Sequence, residues 1–206
     1  KAPFSKNSRK RMMFEISSTL RCALAIFVTL TYPFEFPTDS TIYKRHLDNF
    51  FKRLEYSFPG ILAAIWKLEP QKRGAPHFHL LVWGGDVEKL REWIPQNWYE
   101  IAGRGDENHL RFHRGELGNK HCVSKVQSIE HMMAYASKYL GKTFDVAGWE
   151  EIYPGRFWGM IQKQNIPFGE VCKFEISASK ASHIIRYQKR FSGIRSRNYP
   201  SLTTFC

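Results

Sequence analysis

The sequence predicts an α+β fold: an antiparallel sheet of about five strands with helices packed on it. Three observations point there. Two β-rich runs, "ILAAIWKLE" (61–69) and "HFHLLVW" (77–83), are separated only by the turn-rich "PQKRGAP", which makes them antiparallel neighbours. Strand-like and helical patterns alternate irregularly along the chain, unlike repeated βα units. Hydrophobic residues make up 43% of the 206 and aromatics 15%, ample material for a core.

Taken in chain order, the apolar run "CALAIFVTLTYPF" (22–34) is too short to span a bilayer and is broken by threonines and Pro33. Residues 23–32 are therefore expected as a buried strand, and no membrane span is expected. Turn signals at Pro33, Pro37 and Asp39 precede a helix over 40–57, where Ile42, Leu47, Phe50, Phe51, Leu54 and Phe58 recur at helical spacing and Pro59-Gly60 stops it. After the strand pair, Asp86 caps a helix to about Tyr99, which Pro95 is expected to kink or split. Residues 103–119 are polar and glycine-bearing, with a short strand at "LRFH". A strand over 121–126, a helix over 128–142, strands at "GRFWGMI" and "EVCKFEI" and a basic helix over 178–191 complete the chain. One folded domain is expected over 22–191, between a basic segment 1–21 and a tail 192–206.

The four cysteines, Cys22, Cys122, Cys172 and Cys206, lie far apart without CxxC spacing, which argues against a zinc knuckle or disulfide framework and for a reducing cytoplasm. No secretory cleavage pattern precedes the apolar run, and a start on Lys1 leads us to expect residues upstream. Net charge is +12, and it is concentrated at the ends. Residues 1–21 hold six Lys/Arg and Glu15, a net +5; residues 180–206 hold six Lys/Arg and no acid, leaving the body near +1. Basic ends suit a polyanion, because each phosphate contact releases a counterion; solvated tails are the plainer alternative.

Candidate chemistry begins at "EPQKRGAPHFHLLVW" (69–83). Strand residues two apart share a face, so His77 and His79 project together while Phe78 packs on the other side. Glu69, ending the preceding strand, reaches the same face. Two imidazoles and a carboxylate suit Mn²⁺ or Mg²⁺, or Zn²⁺, with open positions for substrate. "HLRFH" (109–113) offers a second histidine pair, but its setting reads better as an exposed or phosphate-contacting loop. "YASKYLGK" (135–142) holds two Tyr-x-x-Lys units. On a helix, Ile129, Met133, Ala136 and Leu140 form the core stripe, while Tyr135, Tyr139 and Lys142 share another face that the core does not need. Half-buried tyrosines with wet hydroxyls are the ordinary explanation. The chemical one is a phenol, of ordinary pKa about 10, made nucleophilic by a neighbouring cation or metal.

In order along the chain, "FVTLTYP" (27–33), "HFHLLVW" and "YASKYLGK" resemble the three motifs of the HUH endonucleases, initiators of rolling-circle replication in single-stranded DNA phages and many plasmids; the last resembles the two-tyrosine form. "GRFWG" (155–159) is also similar to bacterial members, with Phe157 and Trp158 read as core. The resemblance implies a ferredoxin-like, RRM-like sheet. It implies that His77, His79 and Glu69 hold a divalent metal, Mn or Mg, that polarises a scissile phosphate. Tyr135 or Tyr139 would attack, leaving a 5′-phosphotyrosine and a free 3′-OH, and the other phenol would attack newly made origin DNA. Lys138 and Lys142 would orient a water on the metal or neutralise developing charge. The implied partner is single-stranded origin DNA in the cytoplasm of a bacterial host cell. No GxxxxGK[ST] loop occurs, so strand separation is left to a host helicase, negative supercoiling or a further C-terminal domain. Two rivals remain: a non-catalytic nucleic-acid-binding module stacking bases on Trp66, Phe78 and Trp83, and a metallohydrolase using water as nucleophile.

Overall fold

Strand alternation dictates a two-faced sheet, and the computed structural model, which describes residues 4–19, 23–59, 62–136, 149, 155–170, 176–183 and 186, has one. Its strands are β1 (Ile26–Thr31), β2 (Ala63–Pro70), β3 (Pro76–Trp83), β4 (Val123–Lys125) and β5 (Trp158–Ile161). They pair antiparallel in the order β4-β1-β3-β2-β5. β3 lies between β1 and β2, which therefore run parallel and are joined by a helical crossover, the split β-α-β arrangement of ferredoxin-like sheets.

That crossover is α2 (Ser40–Ser57), started by the Asp39 carboxylate accepting from the Thr41 N–H at 2.8 Å. It buries Tyr43, Leu47, Phe50, Phe51 and Leu54, while Ile42 faces solvent. α3 (Val87–Trp98) begins where Asp86 accepts from the Glu88 and Lys89 N–H groups. The helix runs through Pro95 instead of breaking there, then widens into a π turn, Tyr99–Gly103. Only glycine fits at its end: a Cβ on Gly103 would come within 2.4 Å of the Tyr99 ring.

The strand expected at "LRFH" is instead part of α4 (Glu107–His113). Asp106 caps the Asn108 and His109 N–H groups, Glu107 occupies the first turn, and Arg111 and His113 the last. These end signals outweigh the β character of a four-residue window.

Phe78 and its in-register neighbours Leu30 and Leu68 are fully buried on one face of the sheet, which packs against α2 and α3; the Phe78 and Trp98 rings meet edge-on at 6.3 Å. The opposite face carries Phe27, Thr29, Thr31, Lys67, Glu69, His77, His79 and Trp158. Over it lie α5 (Ile129–Tyr135), whose Tyr135 ring stacks on Phe27 at 3.7 Å, and α1 (Lys6–Ser17), whose Ser8 Oγ accepts from Trp158 Nε1 at 2.9 Å. α1 also buries Met12 and Ile16, so part of the basic start is docked on the core. At α5 the buried side chains are Met132 and Ala136, whereas the spacing predicts Ile129, Met133, Ala136 and Leu140; Leu140 and the side chains of Ile129 and Met133 lie outside the description.

"GRFWG" finds its explanation in packing. Gly159 sits opposite Trp66 in the register, and a Cβ there would lie 2.9 Å from the indole. Phe157 is buried and Trp158 half-buried, as core. Residues 170–206 form a second compact unit, of which 178–183 are helical. Of "EVCKFEI", only Glu170 and Ile176 are described. Among the described residues, no helix is long and apolar enough to cross a membrane.

Candidate metal centre

Sheet register alone brings the acid to the histidines. Glu69 on β2 is paired with His77 on β3, and Lys67 with His79. One ligand atom from each of Glu69, His77 and His79 lies within 4.8 Å of the others. His79 Nε2 donates to Glu69 Oε1 at 3.0 Å, and Lys67 Nζ donates to Glu69 Oε2 at 2.9 Å. Burial by itself would raise the Glu69 carboxyl, but the hydrogen bond and charge of His79, helped by Lys67, hold it down at about 2. Burial, with His79 adjoining, pushes His77 down to about 3. At neutral pH the acid is thus ionised and His77 neutral, the states that ligate a cation. A carboxylate and two imidazoles at this spacing fit a divalent metal, and the donor set alone does not choose which.

Tyr135 reaches this cluster. Its hydroxyl lies 3.1 Å from His79 Nδ1 and 3.3 Å from Thr29 Oγ1, and Thr29 is the register partner of His79. The ring, expected to be dispensable to the core, packs against it through Phe27. Tyr139, Lys138 and Lys142 lie outside the described residues.

The second histidine pair is neither an exposed loop nor a partner in the metal cluster. His109 and His113, one turn apart on α4, are both buried. β4 continues along β1 as far as Thr29, whose N–H bonds the Cys122 carbonyl at 2.9 Å. At the next outward-facing position, imidazoles take over from the strand. The Thr31 N–H donates to His113 Nε2 at 3.1 Å, and the Thr31 carbonyl accepts from His109 Nε2 at 2.8 Å and Trp98 Nε1 at 2.5 Å. His113 Nδ1 donates to the His109 carbonyl at 2.8 Å, which fixes a neutral tautomer with Nε2 as acceptor. Burial, with His109 alongside, pushes His113 down to about 3, in keeping with that role. Thr31 is the register partner of His77, so α4 secures the strand end behind the metal cluster.

The turn "PQKRGAP" adds a second support. Arg73 donates to the carbonyls of Tyr32, Pro33 and Phe34 at 2.6, 2.7 and 3.1 Å, tying down the chain beyond β1. Its Nε donates to Gln71 Oε1 at 3.0 Å, and the Gln71 amide nitrogen approaches His77 Nδ1 at 3.5 Å. Lys67, Gln71, Arg73, Thr29 and Thr31 were not singled out from sequence. Lys67 alone carried a usable signal, being two residues from Glu69 on a strand and therefore on the same face.

Trp66, Phe78 and Trp83, the proposed base-stacking aromatics of a pure binding module, are all buried in the core. They present no ring to a nucleobase.

Fold and site together define an α+β protein with a His-His-Glu centre on its sheet and a tyrosine hydroxyl against it. Residues 25–144, more than half of the chain, match the family described as replication-associated protein ORF2, and the chain belongs to that family. The match spans the strands and motifs that resemble a rolling-circle initiator, and a replication-associated family implies DNA as the partner. No curated protein and no solved structure matches.

Proposed function

We propose that the chain is a metal-dependent single-stranded DNA endonuclease and strand transferase that initiates rolling-circle replication through a 5′-phosphotyrosine. The observation that carries this reading is the Tyr135 hydroxyl, 3.1 Å from His79 Nδ1 and thus against the cluster of Glu69, His77 and His79. A positioned nucleophile beside a divalent-cation site is what phosphoryl transfer needs. Manganese or magnesium held by those three residues would polarise the scissile phosphate. Tyr135 is the first nucleophile: its oxygen bonds to phosphorus as its proton is released, the bond from phosphorus to the 3′ oxygen breaks, and that oxygen takes up a proton to leave as a 3′-OH. Phe27 and Thr29 orient the phenol from the sheet. The new phosphotyrosine keeps the bond energy of the phosphodiester, so religation needs no ATP.

Tyr139 is assigned the second transfer, and Lys138 and Lys142 the neutralisation of developing charge, on the strength of the repeated Tyr-x-x-Lys spacing and the family. The two basic ends supply backbone contacts to origin DNA, with strand opening left to a host helicase in a bacterial cytoplasm. The test is cleavage of a pool of single-stranded oligonucleotides with Mn²⁺ or EDTA. Wild type should cut only with the metal, and the His77→Ala/His79→Ala variant should bind DNA with normal salt sensitivity but not cut. Undiminished cutting by that folded variant would contradict the proposal.

A further inference from the structure

Lys67 is completely buried, a rare place for an ammonium group. It stands on β2 opposite His79 and Trp158, on the face of the metal cluster. Its Nζ donates to Glu69 Oε2 at 2.9 Å, while Oε1 accepts from His79 Nε2 at 3.0 Å. The two carboxylate oxygens thus have different neighbours. Stability does not explain the lysine, because replacing a buried ion pair by apolar groups of similar volume is often neutral or stabilising. The Phe4 ring, 5.4 Å from the ammonium, would pack equally well against a methionine thioether. A methionine, however, cannot hold a carboxylate oxygen.

We infer that Lys67 is a positioning residue of the metal centre: it occupies Glu69 Oε2, leaves Oε1 as the single carboxylate oxygen for a divalent cation, and sets a positive charge beside the site. This rests on reading the cluster as a metal centre. With Oε2 held, Glu69 cannot ligate through both oxygens, so a coordination position stays open for water or a phosphate oxygen. The buried ammonium also repels the cation, so the site binds more weakly than its donors alone would dictate.

The test uses the whole chain and Mn²⁺ alone. Free Mn²⁺ is followed by electron paramagnetic resonance, and exchangeable water on the bound ion by proton relaxivity. Lys67→Met should bind Mn²⁺ at least about tenfold tighter, with lower relaxivity per bound ion, as charge and hydrogen bond are both gone. Lys67→Gln, which keeps a donor without the charge, should bind tighter at wild-type relaxivity. Lys67→Arg should resemble wild type in both. Unchanged or weaker binding by folded Lys67→Met overturns the inference; if that variant does not fold, unchanged or weaker binding by Lys67→Gln does so. A wild type that binds no Mn²⁺ would instead remove the metal centre itself.

Discussion

His113 offers a prediction in which structure sets both magnitude and pH dependence. Replacing it with leucine removes the acceptor of the Thr31 N–H and a neighbour of the Thr31 hydroxyl, and Thr31 is itself buried. A buried polar group left without a partner costs about 1–3 kcal/mol, so His113→Leu should lose about 2–4 kcal/mol at pH 7. The loss should shrink in acid. Folded His113 is held near 3, below its unfolded value of about 6.5, so between those values the unfolded chain binds the extra proton. Stability from the neutral imidazole is complete above about pH 6.5 and drains away as pH falls. Between pH 7 and pH 5 this removes about 2 kcal/mol from the wild type and nothing from the variant. His77, also held near 3, titrates in both proteins and cancels. Urea unfolding followed by tryptophan fluorescence at the two pH values measures the gap directly. A gap under about 1 kcal/mol at pH 7, or one that does not narrow at pH 5, would refute the idea that α4 completes the ladder of β1.

Other expectations follow from the same contacts. Glu69→Gln should weaken Mn²⁺ binding by at least about tenfold in calorimetric titration, and unchanged affinity would take the carboxylate out of the centre. Gly159→Ala drives a Cβ to 2.9 Å from the Trp66 indole and should cost about 1–3 kcal/mol in thermal unfolding, whereas an unshifted melting curve would show that the indole yields freely. Neutralising Lys180, Arg186, Lys189, Arg190, Arg195 and Arg197 should flatten the salt dependence of single-stranded DNA binding by up to about 4 in log–log slope; an unchanged slope reassigns that end to a solvated tail.

The parts legible in the sequence were those written in local periodicity. α2 ran over the residues its apolar spacing and Asp39 indicated, and the strand pair set Glu69 across from His77 because period-two alternation leaves little freedom in register. The α4 segment was misread for the opposite reason. Seven residues make barely two turns, and its inward side chains are histidines, which hydropathy counts as polar. Their partner, Thr31, is 82 residues away from His113, beyond the reach of any spacing rule. Arg73 was hidden the same way: in a string of turn residues it looks like surface charge, yet it gathers the carbonyls that follow β1. The tyrosine helix was located, but its buried residues, Met132 and Ala136, show how a small rotation about the axis moves Tyr135 from the rim of the core onto the sheet.

The proposed chemistry stands or falls on Tyr135, and a covalent adduct tests it most directly. The protein would be incubated with single-stranded origin-bearing oligonucleotides and Mn²⁺, the SDS-stable species isolated, and the modified peptide sequenced by mass spectrometry. A Mn²⁺-dependent 5′-phosphate ester on Tyr135, lost in a folded Tyr135→Phe protein that keeps its ring stack on Phe27, is the expected result. Cleavage that proceeds normally in Tyr135→Phe, with no adduct on that residue, would contradict the assignment.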